Sequence, residues 1–154
     1  MSKFKIALFL LAGVLTFTSC EKKDNDPVIE SSFDWVDGNV FTNNVTIDSS
    51  NVSTIEIKNT TNKSVTLMVE VLENTIPTMW MGMVCITGTC FGELPVVGTE
   101  LEMWAFTAQD DYGYVRLTVN PMVAGQGGTI KLKIYDVANP SDSKTCSWTV
   151  TSIN

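Results

Sequence analysis

Apolar and polar residues alternate along most of the chain after residue 31, so the hydrophobic pattern has a period of two rather than 3.6. In an extended strand this period places successive side chains on opposite faces. Residues 53–58 are the clearest example, because Ile55 and Ile57 alternate with polar side chains. Clusters of Asn, Gly, Pro and Ser separate such segments and are typical of turns. The pattern predicts strands over residues 40–47, 53–58, 65–72, 79–86, 100–108, 112–119, 129–135 and 145–151.

These segments favour an all-β fold, because no window of the chain carries the period of an amphipathic helix. Short strands at regular spacing, separated by turn residues, are typical of an antiparallel β-sandwich. The chain has 154 residues, which is enough for one domain with a sizeable core. We therefore expect one sandwich of about seven to eight strands over residues 33–154.

Residues 1–20 have a different pattern. Two lysines precede an apolar run over residues 6–17, which is too short to cross a hydrocarbon core of about 30 Å as a helix. A short basic segment followed by such a run is typical of a secretory signal. The run leads into Phe17-Thr18-Ser19-Cys20, which resembles a bacterial lipobox. That resemblance implies a lipoprotein signal peptide over residues 1–19 and a lipid on the Cys20 thiol, whereas a soluble secreted protein cut nearby is the alternative.

Residues 20–32 are charged and polar and have no apolar periodicity, so they predict a flexible acidic tether. Acidic residues after a lipidated cysteine, with lysines beside them, resemble the surface-export signal of Bacteroidota lipoproteins. The resemblance implies attachment to the outer membrane through the lipid at Cys20, with the domain facing the cell exterior. The membrane is therefore the first expected partner.

Three stretches of the body carry a family resemblance. The first is the turn and strand start at residues 59–65, and the second contains Trp80, Cys85 and the pair Cys90-Phe91. The third and most distinctive covers residues 127–150, with the sequence GGTIKLKIYDVANPSDSKTCSWTV. Together they resemble an immunoglobulin-like domain found in secreted and C-terminally sorted proteins of Bacteroidota. The resemblance implies an immunoglobulin-like β-sandwich in the cell envelope, but the family fixes no reaction and no ligand.

The net charge and the composition of the chain argue against several functions. The net charge of −7, without a basic patch, disfavours nucleic acid as a partner because phosphate backbones repel an acidic domain. The chain contains no histidine, which excludes Ser-His-Asp and Cys-His nucleophiles and histidine-based zinc or type-1 copper sites. We therefore expect a non-catalytic protein without a cofactor or metal, which binds a protein or glycan or serves as an accessory subunit.

The cysteines of the body have structural interpretations. Cys85 and Cys90 flank a four-residue connection that contains Gly88, and a hairpin there would bring them within disulfide range. An oxidising envelope permits the bond, so we expect a structural disulfide, with two free thiols or a redox-active pair as alternatives. Cys146 alternates with Trp148 and Val150, which predicts a small buried side chain rather than a reactive or intermolecular thiol.

The methionine-rich segment before Cys85 suggests a second chemistry. On a strand, Met79, Met81, Met83 and Cys85 share one face, and soft sulfur ligands suit Cu(I). Methionine is also a flexible filler of hydrophobic cores, and this is the interpretation that we favour. A copper-handling lipoprotein is the weaker alternative.

Carboxylates and aromatic side chains supply the remaining candidates. A carboxylate-based envelope hydrolase is the alternative function, and it requires two carboxyl groups about 5–9.5 Å apart. Asp110-Asp111 and the pair Asp34 and Asp37 are scattered along the chain, and Asp111 is expected to hydrogen-bond within a turn. Trp35 and Trp104 are candidate partner-binding aromatics, since an exposed ring suits a sugar or a protein partner.

Overall fold

The computed structural model describes residues 30–103 and 105–154. Cys20, the predicted signal peptide, most of the predicted tether and Trp104 lie outside the described residues, so the expectations placed on them stay predictions. The described chain forms ten strands. In chain order they are β1 (Phe33–Trp35), β2 (Val40–Thr46), β3 (Asn51–Asn59), β4 (Leu67–Asn74), β5 (Met81–Ile86), β6 (Thr89–Phe91), β7 (Glu100–Glu102), β8 (Tyr112–Asn120), β9 (Gly127–Asp136) and β10 (Asn139–Ile153).

The strands pair into two five-stranded sheets. Sheet A has the order β1-β3-β8-β5-β6, and sheet B has the order β2-β10-β9-β4-β7. Neighbouring strands run antiparallel, except that β2 runs parallel to β10. The prediction of an all-β sandwich is confirmed.

The strand count exceeds the predicted seven to eight for a simple reason. β1 and β6 have three residues each, which is too few for an alternating pattern to stand out. The predicted strand over residues 100–108 is also shorter, since β7 ends at Glu102 and a single bridge between Val65 and Phe106 follows.

Alternate side chains of both sheets fill one core. Ile55 and Ile57 of β3 and Val115 of β8 point inward from sheet A, and each is at most 1% exposed. Trp148 of β10 and Leu132 of β9 meet them from sheet B with no exposed surface. β-branched and aromatic side chains suit this pleated, half-buried surface. The sandwich therefore follows from the alternation that the sequence displays.

The sandwich has two distinguishable ends, which the strand registers define. At the proximal end Phe33 pairs with Asn59, and Lys58 pairs with Tyr112. At the distal end Met81 pairs with Asn120, and the loops over residues 47–50, 75–80 and 121–126 connect the strands. The seven residue steps from Tyr112 to Val119 along β8 separate the two ends by about 23 Å.

The N-terminal part of the described chain is fastened to the proximal end. The Ser31 hydroxyl donates to Asp142 Oδ1 at 2.7 Å, and the Ser32 backbone N–H donates to Asp142 Oδ2 at 2.5 Å. The register between β9 and β10 shifts between Asn139 and Ser143, and Asp142 lies within this irregular stretch. The Thr60 N–H also donates to the Ser32 carbonyl at 3.1 Å. Residues 31–32 are therefore held against the sandwich at a fixed point.

Asp142 makes the fold sensitive to acid. Burial raises the pKa of this carboxyl, but the hydrogen bonds from Ser32 and Ser31 outweigh burial and hold the pKa below its usual range. Because the folded state binds this proton less tightly than the unfolded chain does, the carboxylate stabilises the fold above pH ~4. That contribution is lost as the pH falls through the folded pKa.

We expect Asp142→Asn to lower the free energy of unfolding by about 1 kcal/mol at pH 7, because the charged hydrogen bonds to Ser31 and Ser32 become neutral ones. The variant should also lose less stability than the parent between pH 5 and pH 3, a range of about two units around the ordinary aspartate pKa. Urea unfolding of the full chain at several pH values measures both effects. Asp37→Asn, in an exposed turn, is the control. Equal pH slopes for Asp142→Asn and the parent would contradict this role.

Candidate functional site

A groove of about 820 Å³ lies at the distal end of the sandwich, against the outer face of sheet A. The start of β5 and the end of β8 form its floor, and residues 75–80 and 92–98 form its sides. This volume falls in the range of small-molecule binding sites. The side chains that matter for its chemistry are those of Trp80, Met81, Met83, Val96, Val97 and Asn120.

One side of the groove depends on Gly128 in β9. A Cβ at this position would lie 2.6 Å from the Cα of Ile76, so the backbone at residues 75–76 approaches β9 as only glycine permits. The Thr75 N–H donates to the Thr129 carbonyl at 2.8 Å, and the Thr129 N–H donates to Thr75 Oγ1 at 2.8 Å. These bonds fix where residues 75–80 leave the sandwich.

The other side of the groove rests on a second glycine. A Cβ at Gly82 would lie 2.8 Å from Leu94 Cγ, so the Leu94 side chain occupies the space that a side chain at position 82 would need. Asn74 connects the two sides, since its Nδ2 donates to the Pro95 carbonyl at 3.0 Å and its Oδ1 accepts from the Ile76 N–H at 3.2 Å. The groove is therefore built by backbone and packing contacts rather than by a long flexible loop.

The methionines of β5 face solvent, and the favoured core interpretation is wrong for them. Met81 is 59% exposed and Met83 is 38% exposed, and Met79, just before the strand, is 57% exposed. Val84 and Ile86 take the inward positions of β5, so the intervening odd-numbered residues point outward. Trp80 lies in the opposite phase and is only 5% exposed.

Two residues that line the groove each carry a buried polar atom without a hydrogen-bond partner among the described residues. These atoms are the indole Nε1 of Trp80, a donor, and the side-chain Oδ1 of Asn120, an acceptor. The described chain leaves three other such atoms, of which the Trp148 Nε1 lies in the core. An unpaired buried polar group costs about 1–3 kcal/mol. These two atoms therefore represent a cost to folding that the described contacts do not offset.

The groove carries little charge. Glu93 supplies the one ionisable side chain among the described residues that line it. Arg116 lies farther along β8, where its Nε donates to Thr54 Oγ1 at 3.1 Å and its guanidinium lies 4.9 Å from the Tyr114 ring. The groove is thus apolar and weakly acidic.

The predicted disulfide joins Cys85 and Cys90, with Cα atoms 3.9 Å apart. The two residues are direct cross-strand partners of β5 and β6. The turn between these strands consists of Thr87 (φ 42°) and Gly88 (φ 95°), and two positive φ angles are typical of a type I′ hairpin turn. The Cys85 sulfur is therefore not a thiolate, which takes away one of the sulfurs that a copper site on this strand would use.

The predicted aromatic and carboxylate candidates lie elsewhere. Trp35 is half-buried on β1, with its ring 6.3 Å from the Phe33 ring in an edge-to-face arrangement, and it does not line the groove. Asp34 forms an ion pair with Lys144 at 2.7 Å, and this hydrogen bond holds the pKa of Asp34 below its usual range.

Asp111 has the local role expected for it. Its Oδ2 accepts hydrogen bonds from the Ala108 N–H, the Thr107 N–H and the Thr107 hydroxyl at 2.8–3.0 Å. These bonds, the one from Ala108 first, lower the pKa of the carboxyl. The structure does not bring Asp34, Asp111 and Glu93 into one site, since only Glu93 lines the groove.

Comparisons with known proteins identify the fold but no family. No family model matches the chain, and no curated protein matches its sequence. The solved N-terminal domain of PorA is similar, with 13% identity, a TM-score of 0.50 and coverage of 75% of this chain and 89% of that one. So is part of a family 123 glycoside hydrolase from Clostridium perfringens, with 7% identity, a TM-score of 0.50 and coverage of 77% and 23%.

A PapD-like domain of human CEP192 gives 12% identity, a TM-score of 0.46 and coverage of 80% of this chain and 87% of that one. At these identities the similarity shows the fold alone. The chain is an immunoglobulin-like β-sandwich of two five-stranded sheets. Among residues 30–103 and 105–154, no helix is long and apolar enough to span a membrane.

Gly128→Ala should lower the free energy of unfolding by about 2–3 kcal/mol, because the added methyl group meets backbone atoms of residues 75–76 that cannot rotate away. Urea unfolding of the full chain measures the change. Gly38→Ala is the matched control, since nothing lies within 4 Å of a Cβ there. If both variants unfold at the same urea concentration, residues 75–76 do not approach β9 as described.

The thiol of Cys146 should be unreactive in the folded chain. Burial raises the pKa of this thiol to about 12, and the residue is only 1% exposed, so little thiolate forms near neutral pH. In the Cys20→Ser chain, we expect no reaction with a thiol-specific disulfide reagent at pH 8 until urea unfolds the protein. Reaction of one thiol per chain without urea would show that this part of the core opens readily.

Proposed function

We propose that the chain is a lipid-anchored protein of the outer membrane, facing the cell exterior, and that its sandwich is a non-catalytic domain that binds a protein or glycan in the distal groove. The anchor is the lipid expected on Cys20. The proposal combines the sequence pattern of residues 1–32 with the position of the groove.

The observation that carries this proposal is that residues 31–32 and the groove lie at opposite ends of the sandwich. The chain joins the sandwich beside Asp142 at the proximal end, whereas Met81 and Asn120 of the groove pair at the distal end. About ten extended residues of tether would reach 33–36 Å, which is enough to clear lipid headgroups. A domain held in this way would point its groove away from the membrane.

The groove also favours binding over hydrolysis. A glycosidase-type mechanism requires two carboxyl groups about 5–9.5 Å apart, and the described lining residues include the single carboxylate of Glu93. The exposed side chains that line it, such as those of Met81, Val96 and Val97, offer apolar contact surface rather than catalytic groups.

The anchor is tested by Cys20→Ser. We expect the parent chain to incorporate a labelled fatty acid, to sediment with outer membranes and to react with an impermeant amine reagent on intact cells. The variant should lose the label and leave the membrane, because a lipid anchor of several acyl chains is close to permanent while the tether alone has no apolar segment. Cys146→Ala is the control, since its thiol is buried. Membrane retention of unlabelled Cys20→Ser would refute the anchor.

The binding face is tested in intact cells with a photo-reactive amino acid. Placed at Val97, which is 58% exposed in the groove, it should form adducts with the partner. Placed at Val137, which is 46% exposed in the proximal turn, it should not. Equal adducts from both positions, or none from either, would count against a distal binding site.

A further inference from the structure

Among residues 30–103 and 105–154, four strands lie at sheet edges, and β2 differs from the other three. β1, β6 and β7 have three residues each, and β1 and β7 also carry acidic side chains. β2 has seven residues, with the sequence VFTNNVT, and its register with β10 runs without a bulge. Proteins normally protect a sheet edge by shortness, charge, proline or a bulge. β2 has none of these features, so its edge is open to a further strand.

The even-numbered residues of β2 direct their backbone groups toward this open edge. Just before the strand, the Asn39 carbonyl accepts from the Ser147 N–H of β10 at 2.9 Å. Just after it, the Ile47 N–H donates to the Ile153 carbonyl of β10 at 3.2 Å. Odd-numbered positions therefore face β10, and the backbone groups of successive residues point to opposite sides of a strand. The residues that face the open edge are Val40, Thr42, Asn44 and Thr46.

A second copy of β2 fits this edge in an antiparallel register that uses the whole strand. A twofold axis at Asn43 places Thr42 of one copy opposite Asn44 of the other. Both residues direct their N–H and C=O groups to the open edge, so each such pair exchanges two hydrogen bonds. The same axis brings Val40 opposite Thr46 at the ends of the paired strands. The backbone of β2 is therefore complementary to itself.

The side chains of β2 also suit pairing with a second copy. Phe41 is half-buried on the inner face, and this register places it beside Val45 of the other copy. Aromatic and β-branched side chains stabilise neighbouring strands when they lie opposite each other. In contrast, self-pairing of β1 would bring Asp34 toward its own copy, and self-pairing of β7 would do so for Glu100 and Glu102. Like charges across a ladder are destabilising.

The charge distribution favours a second copy over a charged partner. Residues 40–46 of β2 and residues 147–153 of β10 contain no charged side chain. Residues 30–154 as a whole contain fourteen acidic and six basic side chains, so two copies repel each other over most of their surfaces. The uncharged edge is a place where that repulsion is weakest. A basic partner would find no acidic complement there.

We infer that β2 is a self-association surface, through which two copies of the chain form an antiparallel β2–β2 pair and join their B sheets into one ten-stranded sheet. The inference goes beyond the proposed binding function, because none of the described residues that line the groove belongs to β2. The groove therefore stays open in the dimer.

Antiparallel pairing places the proximal ends of the two copies at opposite ends of the dimer. These ends are separated from the distal ends by about 23 Å along the strands. A tether of about ten extended residues reaches roughly 33–36 Å. The dimer is therefore compatible with tethers to one membrane or to two facing membranes.

Cysteine cross-linking of the full chain in detergent tests the register. One preparation carries Thr42→Cys, and a second preparation with a different tag carries Asn44→Cys. We expect mild oxidation of the mixture to give at least about fivefold more disulfide-linked dimer than either preparation alone, because Cα atoms about 5.5 Å apart lie within disulfide range. Val52→Cys, 55% exposed on β3, is the control and should stay monomeric under the same conditions.

Analytical ultracentrifugation of the full chain in density-matched detergent measures the association itself. The parent chain should form dimers reversibly as its concentration rises. Asn44→Pro removes an N–H that faces the open edge rather than β10, and Thr42→Lys adds a charge to that edge. Each should raise the dissociation constant of the dimer by roughly tenfold or more. Thr42→Lys remains informative if Asn44→Pro folds poorly, and Val52→Lys is the control that should dimerise as the parent does.

Three results would overturn the inference. They are a parent chain that stays monomeric at every concentration, equal dimerisation of the parent and Thr42→Lys, and cross-links from either cysteine variant alone that match those of the mixture. Protection of the Thr42 and Asn44 amides from hydrogen exchange in the monomeric chain would also overturn it, since another segment of the chain would then cover the edge. The photo-adducts expected at Val97 test the groove and are independent of these results.

Discussion

Along β5, side chains point alternately into the core and out to the surface, because a strand cannot turn one residue inward without turning its neighbours outward. The packing of the core therefore determines which side chains of β5 face the groove. Val84 and Ile86 are at most 1% exposed and help to fill the space between the sheets. Met81 and Met83 must therefore face away from the core, and Trp80 must turn toward it. The exposed thioethers of the groove and the buried indole ring beside them are consequences of the same packing that stabilises the fold.

The groove is held by packing contacts and hydrogen bonds, but its surface is costly to maintain. Gly128 and Gly82 allow residues 75–80 and 92–98 to lie close to the sheets, and Asn74 hydrogen-bonds to both segments. The same arrangement exposes four large apolar side chains and leaves two polar atoms unpaired. Packing alone would favour neither feature. Natural sequences depart from such rules mainly at functional sites.

The alternation of apolar and polar residues in the sequence predicted most strands of the sandwich, but it predicted little of the groove. β3, β8 and β9 were predictable because their inward residues alternate over nine or ten positions. β1 and β6 were too short for this signal, and the parallel pairing of β2 with β10 joins segments that are about a hundred residues apart in the chain. The alternation of β5 showed that its methionines share a face, but only the sheet order decides which face is buried.

The two ends of the sandwich differ in how they would respond to force on the tether. In the proposed orientation, tension from the membrane reaches Ser31 and Ser32 first, and then β1, which pairs with β3 over only three residues. The groove lies on β5 and β8, which are paired over six residues, and β8 is paired with β3 over eight. β1 can detach while these longer pairings hold, because its hydrogen bonds are few and lie at the sheet edge. In that orientation, the end that joins the proposed tether would therefore yield before the groove loses its shape.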